Sequence, residues 1–146
     1  MQGDQLVVFP SLSQAWHNHF NKSASLKAAI PGGIWTGQVP EGTLYPYAWA
    51  DIAQVNTHYT MLNRMEYARI FTHIYALGAE DVEAVAGKFK DHYDESRLEF
   101  AVGSQAYCVA VIPQTYRLVS ENLRHKSGAL IFRASLLYFV LYQRSR

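Results

Sequence analysis

One amphipathic helix, set between strand-like segments, most constrains what this chain can fold into. After Gly78, apolar residues recur at the spacing of a single helical face: Val82, Val85, Ala86, Phe89 and Tyr93. Acidic residues occupy the first turn and basic residues the end of this segment, as the helix dipole favours. A stripe this wide needs an apolar surface to cover it. Because strand-like segments lie on both sides in the sequence, the pattern predicts an α+β fold with the helix packed on a sheet.

Two strand-like segments precede this helix. Tyr47–Tyr59 and Arg64–Ala76 are rich in β-branched and aromatic residues, and Met61–Asn63 is the predicted turn of a hairpin between them. In the second strand we expect Ile70, Thr72 and Ile74 on one face, with Tyr67, Phe71 and Tyr75 divided between the two faces.

The β pattern returns after Asp94. Tyr107–Ile112 and Thr115–Glu121 are predicted strands, Asn122–Gly128 is a polar turn, and Leu130–Tyr142 is a final apolar run. The final run also fits a helix, but its rings and the preceding turn favour a strand that is apolar on both faces. Such a strand must be covered twice, by helices on one face and by a loop or another subunit on the other.

The N-terminal part combines a helical segment with an aromatic corner. Ser11–Ile30 is predicted to be helical, with Pro10 in the first turn and a break near Asn21–Ser25. The corner Pro31–Ile52 holds four of the nine glycines and three of the five prolines, and a strand is expected to begin at Ile34. It also carries the rings of Trp35, Tyr45, Tyr47 and Trp49. We interpret the glycines and prolines as turn residues, and the rings as anchors against the core or a neighbouring subunit.

Size and composition limit the classes of protein to which the chain can belong. With 146 residues and 49% apolar content, residues 1–146 form one predicted domain, which buries roughly two thirds of its unfolded surface. The single cysteine, Cys108, excludes an internal disulfide and a cysteine zinc site, so a reducing cytoplasm is expected. No apolar run reaches the ~20 residues of a membrane helix, so no membrane contact is predicted.

Residues with catalytic or metal-binding chemistry do not form a recognisable motif. His17 and His19 would point about 200° apart on a helix, and the other histidines are scattered. Cys108 is predicted to be buried in an apolar strand, where its thiol would be unreactive. The acidic pairs are interpreted as a helix start, Glu80 and Asp81, and a solvated loop, Asp94 and Glu95. We therefore predict no enzymatic activity, no catalytic residue, no cofactor and no metal.

Charge is distributed unevenly along the chain. Residues 1–102 hold seven Lys and Arg against eleven Asp and Glu, whereas residues 103–146 hold six against one. Three alternative explanations fit such an asymmetry: contact with nucleic acid, electrostatic pairing between subunits, or chance. The Gly-rich "PGGIW" precedes a strand instead of opening a helix, so it is not a phosphate loop.

In chain order, the segments resemble a family of viral proteins. The N-terminal helix, "GGIWTGQVPEGTLYPYAWADI", "RMEYARIFTHIYALG", "AEDVEAVAGKFKDHYD" and "ALIFRASLLYFVLYQ" together resemble the tail terminator and tail-completion proteins of long-tailed bacteriophages. The resemblance covers nearly the whole chain and depends on the order of the elements. The polar turn "NLRHKSG" and the leucine-rich last strand depart from the family pattern.

The resemblance implies an α+β fold in which a mixed or antiparallel sheet of about five strands carries two main helices on one face. It also implies a virion protein, made in the host cytoplasm, that forms a hexameric ring on the tail tube and joins the tube to the head. The tail tube protein and head–tail connector proteins would be its neighbours. The alternatives are another neck component, such as a head-completion or connector protein, or a small monomeric enzyme or ligand-binding module.

Two sets of residues are candidates for contacts in such a ring. The predicted subunit interface comprises Tyr45, Tyr47, Trp49, Arg133, Arg144 and Arg146, with acidic surface from the first part of the chain facing basic surface from the last. The predicted lumen-facing set comprises Arg124, His125 and Lys126, whose positive charge would favour non-specific contact with passing DNA.

Overall fold

The computed structural model describes the backbone of residues 2–59, 64–102 and 105–144, and the side chains of residues 12–52, 67–101 and 106–141. The described elements are, in order, α1 (Gln2–Asn21), α2 (Ala24–Ala29), β1 (Ile34–Trp35), β2 (Tyr47–Tyr59), β3 (Arg64–Leu77), α3 (Ala79–Tyr93), β4 (Arg97–Val102), β5 (Gln105–Arg124) and β6 (Leu130–Arg144). The predicted turn Met61–Asn63 lies outside the described residues, although β2 and β3 pair as the predicted hairpin requires.

The strands form one six-stranded sheet in the order β1-β2-β3-β6-β5-β4. β1 runs parallel to β2, and each of the other neighbouring pairs is antiparallel. The α+β class and the mixed sheet are confirmed, but the expected count of about five strands is wrong. β4 was not predicted, because its six residues alternate exposed charges such as Arg97 and Glu99 with the buried Leu98, and so short a pattern is hard to distinguish from a loop.

β5 is one long strand instead of the two predicted ones. The register of its pairing with β6 shifts between Pro113 and Thr115. This irregularity accommodates Pro113, which has no backbone N–H to donate to the neighbouring strand. A second shift lies between Ser120 and Arg124, where Asn122 has a positive φ of 58°. The strand therefore continues into the predicted polar turn, and the chain reverses after Arg124.

The N-terminal helices confirm the predicted break and correct the predicted start. α1 ends at Asn21, and Ser23 caps α2 by accepting a hydrogen bond from the backbone N–H of Leu26 at 3.1 Å. α1 begins at Gln2, however, so Pro10 lies within the helix and not in its first turn. Proline removes one backbone donor, and the residues before it still adopt the helical conformation.

α3 has the predicted bounds and the predicted buried stripe: Val82, Val85, Ala86, Phe89 and Tyr93. The prediction of two main helices on one face is correct in part, because the short α2 packs against α1 and α3 as a third helix. The ring of Phe89 stacks on that of Tyr93 with centroids 4.2 Å apart. The hydroxyl of Tyr93 in turn donates to the carbonyl of Trp16 at 2.6 Å, which ties α3 to α1 inside the core.

The sheet has two different faces. We call the covered one the helix face, since α1 and α3 pack on it; its buried residues alternate along β2, β3, β6 and β5 and include Ala50, Ile70, Ile74, Leu136, Tyr138, Val140, Val109 and Val111. The residues between them form the opposite face, called here the open face.

Two predictions about the faces are wrong. Tyr67, Phe71 and Tyr75 all lie on the open face, because β3 pairs with β6 without a register shift and strict alternation keeps odd-numbered positions together. Cys108 is half-buried instead of buried, since it alternates with Tyr107 and Val109 and so also belongs to the open face.

Candidate protein interaction site

The open face is a nearly continuous surface of aromatic and aliphatic side chains. Its half-buried members are Tyr47 and Trp49 of β2, Tyr67, Phe71, His73 and Tyr75 of β3, Leu137, Phe139 and Leu141 of β6, and Cys108 and Ala110 of β5. The described helices pack on the helix face or on each other, so none of them covers this surface. An apolar surface of this extent is typical of contact with another protein.

Pairs of rings shield one another across the open face. Tyr47 stacks on Tyr75 at 5.1 Å, Trp49 on His73 at 5.4 Å, and Tyr67 tilts against Phe139 at 5.2 Å. Burial, with the neighbouring hydroxyl of Tyr45, raises the pKa of Tyr47 to about 12, so this phenol stays protonated at neutral pH. The indole Nε1 of Trp49 is shielded and has no hydrogen-bond partner among the described residues.

Two arginines on the open face have contacts within the chain. Arg133 faces Glu121 at 3.1 Å without a well-aligned hydrogen bond, so this predicted interface arginine is already paired inside its own chain. Arg69 lies over the ring of Phe139 at 5.7 Å. The side chain of Arg144 and all of Arg146 lie outside the described residues. Of the predicted interface set, Tyr47, Trp49 and Arg133 therefore share the open face.

A cleft of about 800 Å³ lies at one end of the sheet, where the corner meets the turn between β5 and β6. We call it the basic cleft; its lining comprises Val39, Pro40, Glu41, Gly42, Thr43, Leu44, Tyr45, Tyr47, Leu77, Arg124, His125, Lys126 and Ile131. The rings of Tyr45 and His125 meet edge to face at 5.4 Å. The structure thus brings the aromatic corner and the polar turn together, although the sequence analysis assigned them to separate surfaces.

Local backbone geometry holds both walls of this cleft. In the corner, the N–H of Gly32 donates to the carbonyl of Pro46 at 3.0 Å, and a Cβ at this position would lie 2.0 Å from the carbonyl oxygen of Leu44. Only glycine allows this close approach. In the turn, Nη1 of Arg124 donates to the carbonyl of Gly128 at 2.7 Å. The arginine therefore both closes the turn and contributes charge to the cleft.

The chemistry of the basic cleft suits a polypeptide. Arg124 and Lys126 are exposed, and Glu41 is the acidic residue of the lining, so the cleft is basic at neutral pH. Leu44 in the lining is 65% exposed, and Leu123, next to Arg124 in the chain, is 61% exposed. Apolar side chains beside an arginine and tyrosines are typical of protein interfaces, whereas phosphate backbones are bound mainly through charge.

Other polar clusters in the described residues have structural roles. His19 and His92 stack at 3.9 Å, and the Nε2 of each ring is hydrogen-bonded to the other residue's carbonyl oxygen, at 2.8 Å from His19 and 2.5 Å from His92. Asp94, predicted to lie in a solvated loop, instead accepts the hydroxyl of Tyr138 at 2.7 Å and pairs with Lys90 at 3.0 Å. The contacts of His19 with His92 and of Tyr138 with Asp94 were not predicted, because these partners lie 73 and 44 residues apart in the chain.

The described residues contain no group of three or more His, Cys, Asp or Glu side chains placed to hold a metal ion. A second, smaller cleft of about 460 Å³ lies where β4 begins beside β5, with Glu95 and Arg97 in its lining. Within the part of the chain that the structure describes, the helices are too short or too polar to cross a membrane.

Comparison with known proteins gives a structural likeness and no sequence family. No protein-family model matches the chain, and no curated protein matches it. Among solved structures, a chain of the virion of a native gene transfer agent particle superimposes with a TM-score of 0.74 at 15% sequence identity. The match covers 93% of this chain and 97% of that one. The two chains therefore share a fold over nearly their whole lengths.

Proposed function

We propose that this chain is a structural subunit of a phage-like virion, and that copies of it form a ring of roughly six subunits. In this proposal the ring terminates the tail tube and joins it to the head, with the tail tube protein and connector proteins as neighbours. The fold shared with a chain of a gene transfer agent virion supports a virion role. The order of sequence segments that resembles tail terminators supports the position in the tail.

The open face is the observation that carries this proposal. Rings and aliphatic side chains fill the face, yet the helices of the same chain lie on the other side of the sheet. A partner that covers this surface would gain roughly 25 cal/mol of free energy for each Å² of apolar area that it removes from water. We propose that a neighbouring subunit covers it, as a strand apolar on both faces requires.

A structural role needs no catalytic residue, cofactor or metal, and we propose that the chain has none. The arrangement of the polar groups supports this. Asp94 is held by Tyr138 and Lys90, and His19 and His92 are hydrogen-bonded to backbone carbonyls. Such contacts stabilise the fold.

Native mass spectrometry and negative-stain electron microscopy of the purified full chain test the ring. Closed rings of roughly six copies are the expected result. A strict monomer at high protein concentration would contradict the ring. Antibody labelling of intact particles then tests the position: label at the head-proximal end of the tail is expected, and label only on the capsid or the distal tail would contradict a terminator role.

A further inference from the structure

We infer that the basic cleft of one copy receives the acidic start of α3 from the next copy around the ring. This inference rests on the proposed function, since it names the contact through which the copies join. The occupant is a surface called here the acidic patch, made by Glu80, Glu83, Tyr116 and Leu118. It combines negative charge with exposed apolar side chains, as the cleft combines positive charge with the exposed Leu44.

The exposed apolar side chains of the described residues fall into two main groups. The large hydrophobic residues that remain exposed are Leu44, Ile112, Tyr116, Leu118 and Leu123. Leu44 lines the basic cleft, whereas Tyr116 and Leu118 lie together on β5. Because exposed apolar side chains beside charges mark protein contacts, both places are candidate interfaces.

The charges of the two groups have opposite sign. Glu80, Asp81 and Glu83 are exposed in the first two turns of α3, and none of them forms an ion pair with a described residue. Glu83 lies close enough to Tyr116 to raise the pKa of its hydroxyl, after burial as the main cause. Lys90, which lies seven residues after Glu83 on the same side of α3, is over the ring of Tyr116, so the acidic turn and this part of β5 are neighbours.

One cation also approaches the acidic patch but is compensated within the chain. Lys90 lies over the ring of Tyr116 at 5.9 Å, and its ammonium pairs with Asp94 at 3.0 Å. Two carboxylates, those of Glu80 and Glu83, define the charge that the patch offers to another molecule. Two exposed cations, Arg124 and Lys126, define the charge that the cleft offers.

The two surfaces lie on opposite sides of the sheet, so a copy cannot fill its own cleft. Tyr116 and Leu118 pair with Leu136 and Ala134, whose side chains are buried on the helix face. The cleft is instead lined by Tyr47, Leu77 and Ile131, which alternate with the helix-face residues. A contact between two different surfaces of identical copies repeats from one copy to the next, and it closes into a ring when the rotation allows.

A charge-swap experiment on the full chain tests this contact. Arg124→Glu with Lys126→Glu is expected to raise the dissociation constant between copies at least ~tenfold, and Glu80→Lys with Glu83→Lys to do the same. The variant with all four changes is expected to assemble again, because its cleft is then acidic and its former acidic patch is basic, so opposite charges still face each other. Native mass spectrometry at several protein concentrations gives the readout, and circular dichroism shows whether each variant is folded.

Lys22→Glu with Lys27→Glu is the matched control, since it reverses two exposed lysines outside both surfaces and should leave assembly unchanged. Full assembly of the Arg124 and Lys126 double variant would overturn the inference. The inference would also be overturned if both double variants disassemble and the fourfold variant does not assemble again. A monomeric unmodified chain would instead overturn the proposed function itself.

A DNA-binding measurement separates this contact from the alternative partner. A short duplex DNA is titrated into the unmodified chain and the Arg124 and Lys126 double variant. If the variant assembles normally and loses only its affinity for the duplex, the cleft faces DNA and the inference is wrong. Loss of assembly with unchanged duplex binding would support it.

Discussion

The helix face and the open face belong to the same strands, but they are completed in different ways. The helix face is built from small and aliphatic residues such as Ala48, Ile70 and Val140, which the helices bury almost fully. The open face carries larger rings, which shield only one another and remain half-buried. One face therefore completes the fold of the single chain, whereas the other leaves apolar rings partly in water, which is typical of surfaces that contact another protein.

The largest effect is expected on the helix face. Phe89→Ala should lower the free energy of unfolding by roughly 3 to 5 kcal/mol, because a ring that is fully buried against Tyr93 and Tyr138 is replaced by a cavity. Denaturant unfolding of the monomer measures the change. A nearly neutral substitution would mean that α3 does not pack on the sheet as described.

Phe71→Ala on the open face should separate folding from assembly. Because the ring is already partly in water, the substitution should cost the monomer only about 1 kcal/mol. We expect a larger effect on association, at least ~tenfold in the dissociation constant, if a partner buries this face. Unchanged association, in a variant that unfolds like the unmodified chain, would show that the open face is not an interface.

Acidification should lower the stability of the folded chain through His19, which contacts His92 between α1 and α3. Burial lowers the pKa of His19 below its ordinary value of 6.5, and the stacked His92 and nearby Lys22 lower it further, against the opposing hydrogen bond to a carbonyl. The folded chain therefore binds fewer protons than the unfolded chain, so stability is complete above pH 6.5 and declines as the pH falls below it.

Unfolding of the chain and of His19→Gln at several pH values measures this dependence. The variant should lose less stability than the unmodified chain between neutral pH and pH about 5. Equal pH slopes in the two proteins would contradict a contribution from this histidine pair.

The smallest effect is expected for Cys108→Ser. The thiol is half-buried on the open face, so a hydroxyl at this position keeps some access to water and should cost about 1 kcal/mol or less. Ring assembly should be retained, as native mass spectrometry would show. Loss of a chemical activity in the folded variant would instead revive the enzyme alternative.

Local patterns were enough to predict several elements. The bounds of β2 follow from its β-branched and aromatic composition, and the five residues that α3 buries follow from their spacing along one side of a helix. The break between α1 and α2 was also predictable, since Ser23 is a strong capping residue. Each of these features depends on residues within one or two turns of one another.

Contacts between distant segments were not predictable in the same way. Tyr45 was assigned to one surface and His125 to another, yet the two rings meet at the basic cleft. Arg133 is a predicted subunit contact, and the structure also places it beside Glu121 of the same chain, a pairing that was not predicted. These outcomes depend on strand order and register, which a single sequence does not specify locally.

The sequence alone determined the fold class, the amphipathic helix and the presence of a last strand that is apolar on both faces, because spacing along the chain dictates which side chains share a side of a helix or strand. That Tyr67, Phe71 and Tyr75 share one face, and that the corner and the polar turn enclose one cleft, became known from the folded chain. The physical reason is that pairing between strands aligns residues that are far apart in the chain, so one shift in register would move every side chain to the opposite face.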